Sequence, residues 1–135
     1  IKETDFRILA SDADGNVLKK AKINAEKAGV SDCIAFQRLP LERFRSAKSG
    51  GYIICNPPYG ERMGDASEME RLYRRMGEVF SHLDSWSFFI LTAYNGFERL
   101  FGKRADKNRK LYNGNIKCYY YQYRAKKVRN ALQYG

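Results

Sequence analysis

Histidine is almost missing from this chain of 135 residues, where His82 stands alone. One imidazole rules out a multi-histidine metal centre and argues against a histidine-based catalytic triad. Its position near the end of a helical stretch suits a surface residue or a partner for the helix dipole. Cysteine is scarce too: Cys33, Cys55 and Cys118 are an odd number with no paired spacing. Such a set fits reduced cytosolic thiols better than a disulfide framework or a zinc site. No apolar run approaches the roughly 20 residues of a membrane-spanning helix. The opening Ile1-Lys2-Glu3-Thr4 lacks the layout of a signal peptide. The first residue is not Met, so we expect a processed or excised piece of a longer chain. What the chain does have is 44% hydrophobic and 14% aromatic residues, with charges spread along it. That composition argues for a packed core and against disorder, and the length allows one modest domain.

Acidic residues run out towards the C-terminus. Residues 1–98 hold 14 Lys and Arg against 14 Asp and Glu, whereas residues 99–135 hold 11 against Asp106 alone. The net charge of +10 therefore sits entirely in the last 37 residues. A basic surface gains by displacing counterions from phosphates, so nucleic acid is the favoured partner, with a solubilising tail as the plainer alternative.

The pattern along the chain predicts alternating strands and helices. Phe6 to Ala10 reads as a strand ending at Ser11-Asp12. Asp14 can cap a helix to Ala28, with Val17, Leu18, Ala21, Ala25 and Ala28 on one face and Gly29 stopping it. Ile34-Ala35-Phe36 suggests a second strand, and Leu39 to Phe44 a connection or short helix. After a turn at Ser49-Gly50-Gly51, the apolar run Tyr52-Ile53-Ile54-Cys55 predicts a strand buried on both faces. Met69, Leu72, Tyr73, Met76, Val79, Phe80 and Leu83 recur at helical spacing and read as core. Ser87 to Thr92 is a further buried strand. Asn113-Gly114 is a strong turn signal between two strands. The expected fold class is α/β, a mainly parallel sheet ending in an antiparallel hairpin. Tyr119, Tyr121 and Tyr123 share one strand face. They could stack bases, but packing is the favoured reading.

The tetrapeptide Asn56-Pro57-Pro58-Tyr59 follows a buried strand, where open α/β sheets bind ligands. Its composition suits one reaction. An aromatic exocyclic amine is a poor nucleophile because its lone pair is delocalised into the ring. The Asn56 side-chain carbonyl and the Pro57 backbone carbonyl can each accept one N–H, drawing the nitrogen towards tetrahedral geometry. The prolines stiffen the loop, so the acceptors stay aimed. Tyr59 offers a flat face for an extruded base. A sulfonium methyl donor is already activated, so catalysis becomes alignment and needs no metal or covalent nucleophile. The alternative is a proline-rich turn with no chemistry.

Asn-Pro-Pro-Tyr after a buried strand resembles the active-site motif of amino-group methyltransferases, of both DNA adenine-N6 and RNA guanine-N2 types. The extension Gly60-Glu61-Arg62, Leu111-Tyr112-Asn113-Gly114 and Tyr119-Tyr120-Tyr121-Gln122-Tyr123 look like the bacterial large-subunit ribosomal RNA guanine-N2 methyltransferases. The likeness runs from about Phe6 to Tyr123. It implies a Rossmann-like class I catalytic region spanning residues 1–135. It also implies S-adenosyl-L-methionine as cofactor, 23S ribosomal RNA as substrate, a cytoplasmic location and an upstream THUMP-type RNA-binding domain. It makes Asn56, Pro57 and Tyr59 the catalytic candidates, and we take Pro58, Tyr59 and Arg62 as candidates for contact with the RNA. Asn56 also borders the cofactor. Asp12 would hold the cofactor ribose, with Ala13 beside the adenine; apart from the resemblance, backbone around Arg38 and Leu39 is a candidate for adenine contact.

Two departures stand beside this resemblance. The family's first strand and its glycine-rich cofactor loop have no counterpart in the sequence. The resemblance sets that strand between those containing Leu9 and Ile54, so the chain alone is expected to fold poorly and bind cofactor weakly. The acid that meets the adenine in relatives is also missing from Gln37-Arg38-Leu39-Pro40. Arg62 suits either a phosphate or target-base contact or an ion pair with a neighbouring carboxylate. Lys103, Arg104, Lys107, Arg109 and Lys110 suit an RNA backbone, or a solvated face. Adenine-N6 or transfer-RNA guanine-N2 methylation remains a rival within enzymes. A non-catalytic RNA-binding module with this fold is a rival of another class.

Overall fold

A computed structural model of the chain describes residues 7–58 and 66–126. They form two units, Ile1–Phe44 and Arg45–Gly135.

In the first unit, strand β1 (Ile8–Asp12) pairs in parallel with β2 (Ile34–Arg38), in register from Ile8 opposite Ile34 to Asp12 opposite Arg38. Helix α1 (Gly15–Ala28) makes the crossover. Both of its ends follow local chemistry. The Asp14 side chain accepts the amide of Asn16 at 2.8 Å as an N-cap. At the other end Gly29 adopts φ +73°, and Val30 N–H returns to the Ala25 carbonyl at 3.0 Å. Leu18 and Ala25 are the buried residues of the helix, whereas Val17, expected on that face, is 46% exposed.

The second unit is a four-stranded sheet in the order β3 (Gly51–Cys55), β4 (Trp86–Thr92), β6 (Ile116–Tyr123), β5 (Lys107–Asn113). β3 and β4 are parallel, and the two C-terminal strands are antiparallel. Helix α2 (Ala66–Phe80) carries the expected stripe, burying Met69, Tyr73, Met76, Val79 and Phe80. A short helix α3 (Phe97–Phe101), not evident in the sequence pattern, adds Phe97, Leu100 and Phe101. These helices meet one sheet face through stacked rings: Phe80 on Phe88 at 4.8 Å and Phe97 on Tyr121 at 5.2 Å. Tyr121 and Tyr123 are each 1% exposed, so packing is their role. A Cβ at Gly77 would overlap the Phe101 carbonyl, so this glycine lets α2 and α3 approach closely.

Two expectations require correction. β3 is not buried on both faces, because Tyr52 and Ile54 are 77% and 78% exposed. The helices cover only the face bearing Phe88 and Ile90. On the opposite face the Tyr52 ring stacks on Phe89 at 6.3 Å, and Phe89 continues to Tyr120 at 6.2 Å. The hairpin turn is also displaced by one residue. Asn113 pairs with Ile116, leaving Gly114-Asn115 at the centre, with Gly114 at φ +63°. Positive φ at the first central residue suits a type II′ turn, which glycine meets without strain. Among the described residues β1 and β3 each have one strand neighbour, and no ladder joins them. No helix among these residues is long and apolar enough to cross a membrane.

Candidate active site

Asn56, Pro57 and Pro58 leave the carboxyl end of β3, whose last residue Cys55 pairs with Ile90. Asn56 is exposed, so its amide is open to a ligand; Pro57 is buried and Pro58 half-buried. Tyr59 and Arg62 lie outside the described residues.

The loop is held from below by two side chains that sequence reasoning assigned to the core. The Tyr73 hydroxyl of α2 donates to the Pro58 carbonyl at 3.0 Å. A carbonyl can only accept, so that bond uses the single phenolic proton. The second contact of the same hydroxyl, to Thr92 Oγ1 at 2.9 Å, therefore has the threonine as donor. Thr92 Oγ1 in turn accepts the Tyr94 amide at 3.1 Å. Tyr73 and Thr92 are both 0% exposed. The relay thus ties the loop to the end of β4 inside the core, where hydrogen bonds are hard to replace with water. A tyrosine in a helical stripe looks like packing. The signal that could have marked it is a phenol needing a partner in an otherwise apolar stripe, facing a threonine at a strand end.

Burial pushes the neighbouring Cys55 thiol up to about 12. The group stays protonated at neutral pH and is no nucleophile.

The proposed cofactor residues gather in the first unit. Asp12 ends β1, and its Oδ1 accepts the Asp14 amide at 2.8 Å. Its backbone carbonyl accepts Leu39 N–H at 3.0 Å, and the Ala13 carbonyl accepts Arg38 Nε at 3.0 Å. Asp12, Ala13 and Leu39 are therefore brought together across the carboxyl ends of β1 and β2. Asn56 belongs to the second unit.

The basic run does not form one cluster. Lys103 and Arg104 follow α3 and line an open hollow of about 600 Å³ with Glu98, Arg99 and Gly102. The Tyr123 hydroxyl donates to the Lys103 carbonyl at 2.7 Å. Tyr123 pairs with Phe88, towards the amino end of β4 and away from the Asn-Pro-Pro loop. Lys107 and Arg109 oppose Gln122 and Tyr120 on one hairpin face, while Lys110 opposes Tyr119 on the other. Tyr120 pairs with Leu91 and Tyr119 with Thr92, the positions that follow Ile90, the partner of Cys55, so of the five Arg109 and Lys110 stand nearest the level of the loop, on opposite faces of the hairpin. All five are exposed.

A βαβ unit, a second parallel strand pair with a ligand-ready loop at its carboxyl end, and a closing antiparallel hairpin define the class I methyltransferase fold. Over residues 2–122 the sequence matches the RMKL-like methyltransferase domain, and the chain belongs to that family. It is 45% identical over 119 residues to YpsC of Bacillus subtilis (strain 168), assigned as an RNA methyltransferase, spanning 88% of this chain and 31% of that protein. Identity to the ribosomal RNA large subunit methyltransferase K/L of Legionella pneumophila (strain Corby) is 37% over 122 residues, 90% of this chain and 17% of the relative. Among solved structures, a protein assigned as a methyltransferase and complexed with SAH superposes with a TM-score of 0.86 at 43% identity. That match covers 90% of this chain and 32% of the other. A Listeria monocytogenes protein assigned as an N6-adenine-specific DNA methylase gives 0.78 at 39% identity, covering 88% and 30%. The chain thus spans less than a third of the curated relatives it matches.

Proposed function

We propose that this chain is the catalytic portion of an S-adenosyl-L-methionine-dependent methyltransferase acting on the exocyclic N2 amino group of a guanine in 23S ribosomal RNA. The observation that carries the reading is the Asn56-Pro57-Pro58 loop at the end of β3, stiffened by its prolines and tied to the core through Tyr73. The Asn56 side-chain carbonyl and the Pro57 carbonyl accept the two N–H groups of the target amine and localise its lone pair. Tyr59 stacks on the extruded base, and Pro58 and Arg62 meet the nucleotide around it. Asp12 holds the cofactor ribose through its carboxylate, with Ala13 and Leu39 lining the adenine. The cofactor supplies the methyl group as a sulfonium when bound; the residues of the chain orient and desolvate. The cation-rich C-terminal region and the RNA substrates in the names of its relatives support RNA. Lys103, Arg104 and Lys107 then act on more distant phosphates, and Arg109 on a nearer one. An upstream THUMP-type domain and a cytoplasmic location complete the proposal.

Tritiated methyl transfer by the intact protein to unmodified ribosomal RNA, followed by nucleoside digestion, tests it. N2-methylguanosine is the expected product. N6-methyladenine would shift the substrate to the second reading, favoured by the likeness to the Listeria protein. RNA binding without transfer to any nucleic acid would favour a non-catalytic module. Within the enzyme reading, Asn56→Ala lowers kcat by about 100- to 1000-fold, the size of losing one preorganised acceptor. Cofactor affinity, measured by calorimetry, stays nearly unchanged.

A further inference from the structure

The end of the C-terminal hairpin is chemically distinctive, and residues 111–117 are all exposed. From Lys107 to Tyr123 the hairpin carries Lys107, Arg109, Lys110 and Lys117 and no acidic residue. Register sorts its side chains. Lys110 opposite Tyr119 and Tyr112 opposite Lys117 share one face, the face that also holds Thr92. Tyr112 is 71% exposed, far more than a packing tyrosine requires. Lys117 Nζ lies 5.6 Å from the centre of the Tyr119 ring, and Tyr119 stacks on Tyr121 at 6.0 Å.

Register also fixes where this strip stands. Counted on from the last pair, Cys55 with Ile90, Pro57 comes at about the level of Thr92 and hence of Tyr119. Strand β6 runs on past that level to Ile116, three residues or about 10 Å further out. The hairpin end therefore rises beyond the same end of the sheet as the Asn-Pro-Pro loop. It stands two to three strand spacings to one side, about 10–14 Å. A continuous row runs from Pro58 through Tyr73 and Thr92 to Tyr119, Lys117 and Tyr112.

We propose that Lys110, Tyr112, Lys117 and Tyr119 form a platform for the single-stranded RNA flanking the target nucleotide. Tyr112 stacks on a neighbouring base, and Lys110 and Lys117 hold the phosphates on either side. Exposed aromatic faces interleaved with cations are what single strands require, because every base has a π-face and every linkage a charge. A strand pulled open to present one base leaves its neighbours unstacked, so the platform also offsets part of the cost of extrusion. This inference rests on the RNA-methyltransferase reading and adds to it the residues that grip the substrate beyond the reacting base.

Steady-state kinetics of the intact protein on ribosomal RNA provide the test, with Tyr112→Ala, Tyr112→Phe and Lys110→Ala/Lys117→Ala beside the wild type. Tyr112→Ala raises KM for RNA about tenfold, the loss of one stacked base, while kcat and cofactor affinity hold. Tyr112→Phe restores KM, because the ring and not the hydroxyl does the stacking. The double lysine variant reduces the slope of log affinity against log salt by about 0.7 per lysine. Unchanged KM and salt slope, with wild-type transfer intact, overturn the platform and leave the active-site reading standing. A wild-type protein that methylates no RNA overturns both.

Discussion

Tyr73 shows how one side chain can serve both the core and the loop above it. Its ring sits in the core against Phe97 at 5.1 Å, while its hydroxyl holds the Pro58 carbonyl. Tyr73→Phe keeps the ring and leaves that carbonyl without its donor. We expect a stability loss of about 1–3 kcal/mol, read from urea midpoints. We also expect a fall in kcat of about ten- to a hundredfold with KM for cofactor unchanged, because the loop acceptors lose their aim. A variant that is less stable but turns over normally would make Tyr73 a core residue only. The asparagine and prolines of the site were legible in the sequence because their chemistry is local. Tyr73 and Thr92 were not, because a phenol 15 residues from Pro58 and a threonine 19 residues further on meet only when α2 packs on β4.

At the scale of elements, the close approach of α2 and α3 depends on Gly77. Alanine is the better helix former by about 1 kcal/mol, which by itself would make Gly77→Ala stabilising. The new methyl would overlap the Phe101 carbonyl, however, and backbone cannot swing aside as a side-chain end can. Overpacking costs about 1–3 kcal/mol, so the net effect is destabilising. Calorimetric melting should show a Tm lower by several degrees; an unchanged or raised Tm would mean that the helices separate freely. The termini of α1 were readable because Asp14 and Gly29 act on their own backbone. The hairpin was recognised from Asn113-Gly114, yet the turn settled one residue later. Strand pairing from Lys107 to Asn113 fixed the register, and only Gly114 needed positive φ. Helix α3 escaped notice because five residues are too few for periodicity to declare itself.

For the molecule as a whole, two acidic side chains that retain their protons on folding contribute to its response to alkali. The Cys55 thiol rises from an ordinary 9.0 to about 12 through burial. The Tyr121 phenol rises from 10.0 to about 12, through burial first and then the charge of Glu98. In the unfolded chain these groups ionise near their ordinary values, while the folded chain keeps its protons. Between about pH 9 and about pH 12 the unfolded state therefore binds fewer protons, and stability falls as pH rises. Below pH 9 the contribution is fully present. Urea midpoints should decline across this range, and Cys55→Ala should remove the earlier part of the decline. Midpoints that stay level would mean that water reaches both groups.

The sequence by itself determined the alternation of strands and helices, the caps of α1, the amphipathic stripe of α2 and the placing of Asn56-Pro57-Pro58 directly after a strand. Each of these rests on residues close in the chain, where spacing and side-chain type act directly on the neighbouring backbone. Tertiary structure alone decided which face of β3 stays bare and how the basic run divides between the two ends of the sheet. It also decided which core tyrosine steadies the loop and that the hairpin end rises beside it. Those outcomes depend on strand order and register, which pair residues tens of positions apart and which no local pattern encodes.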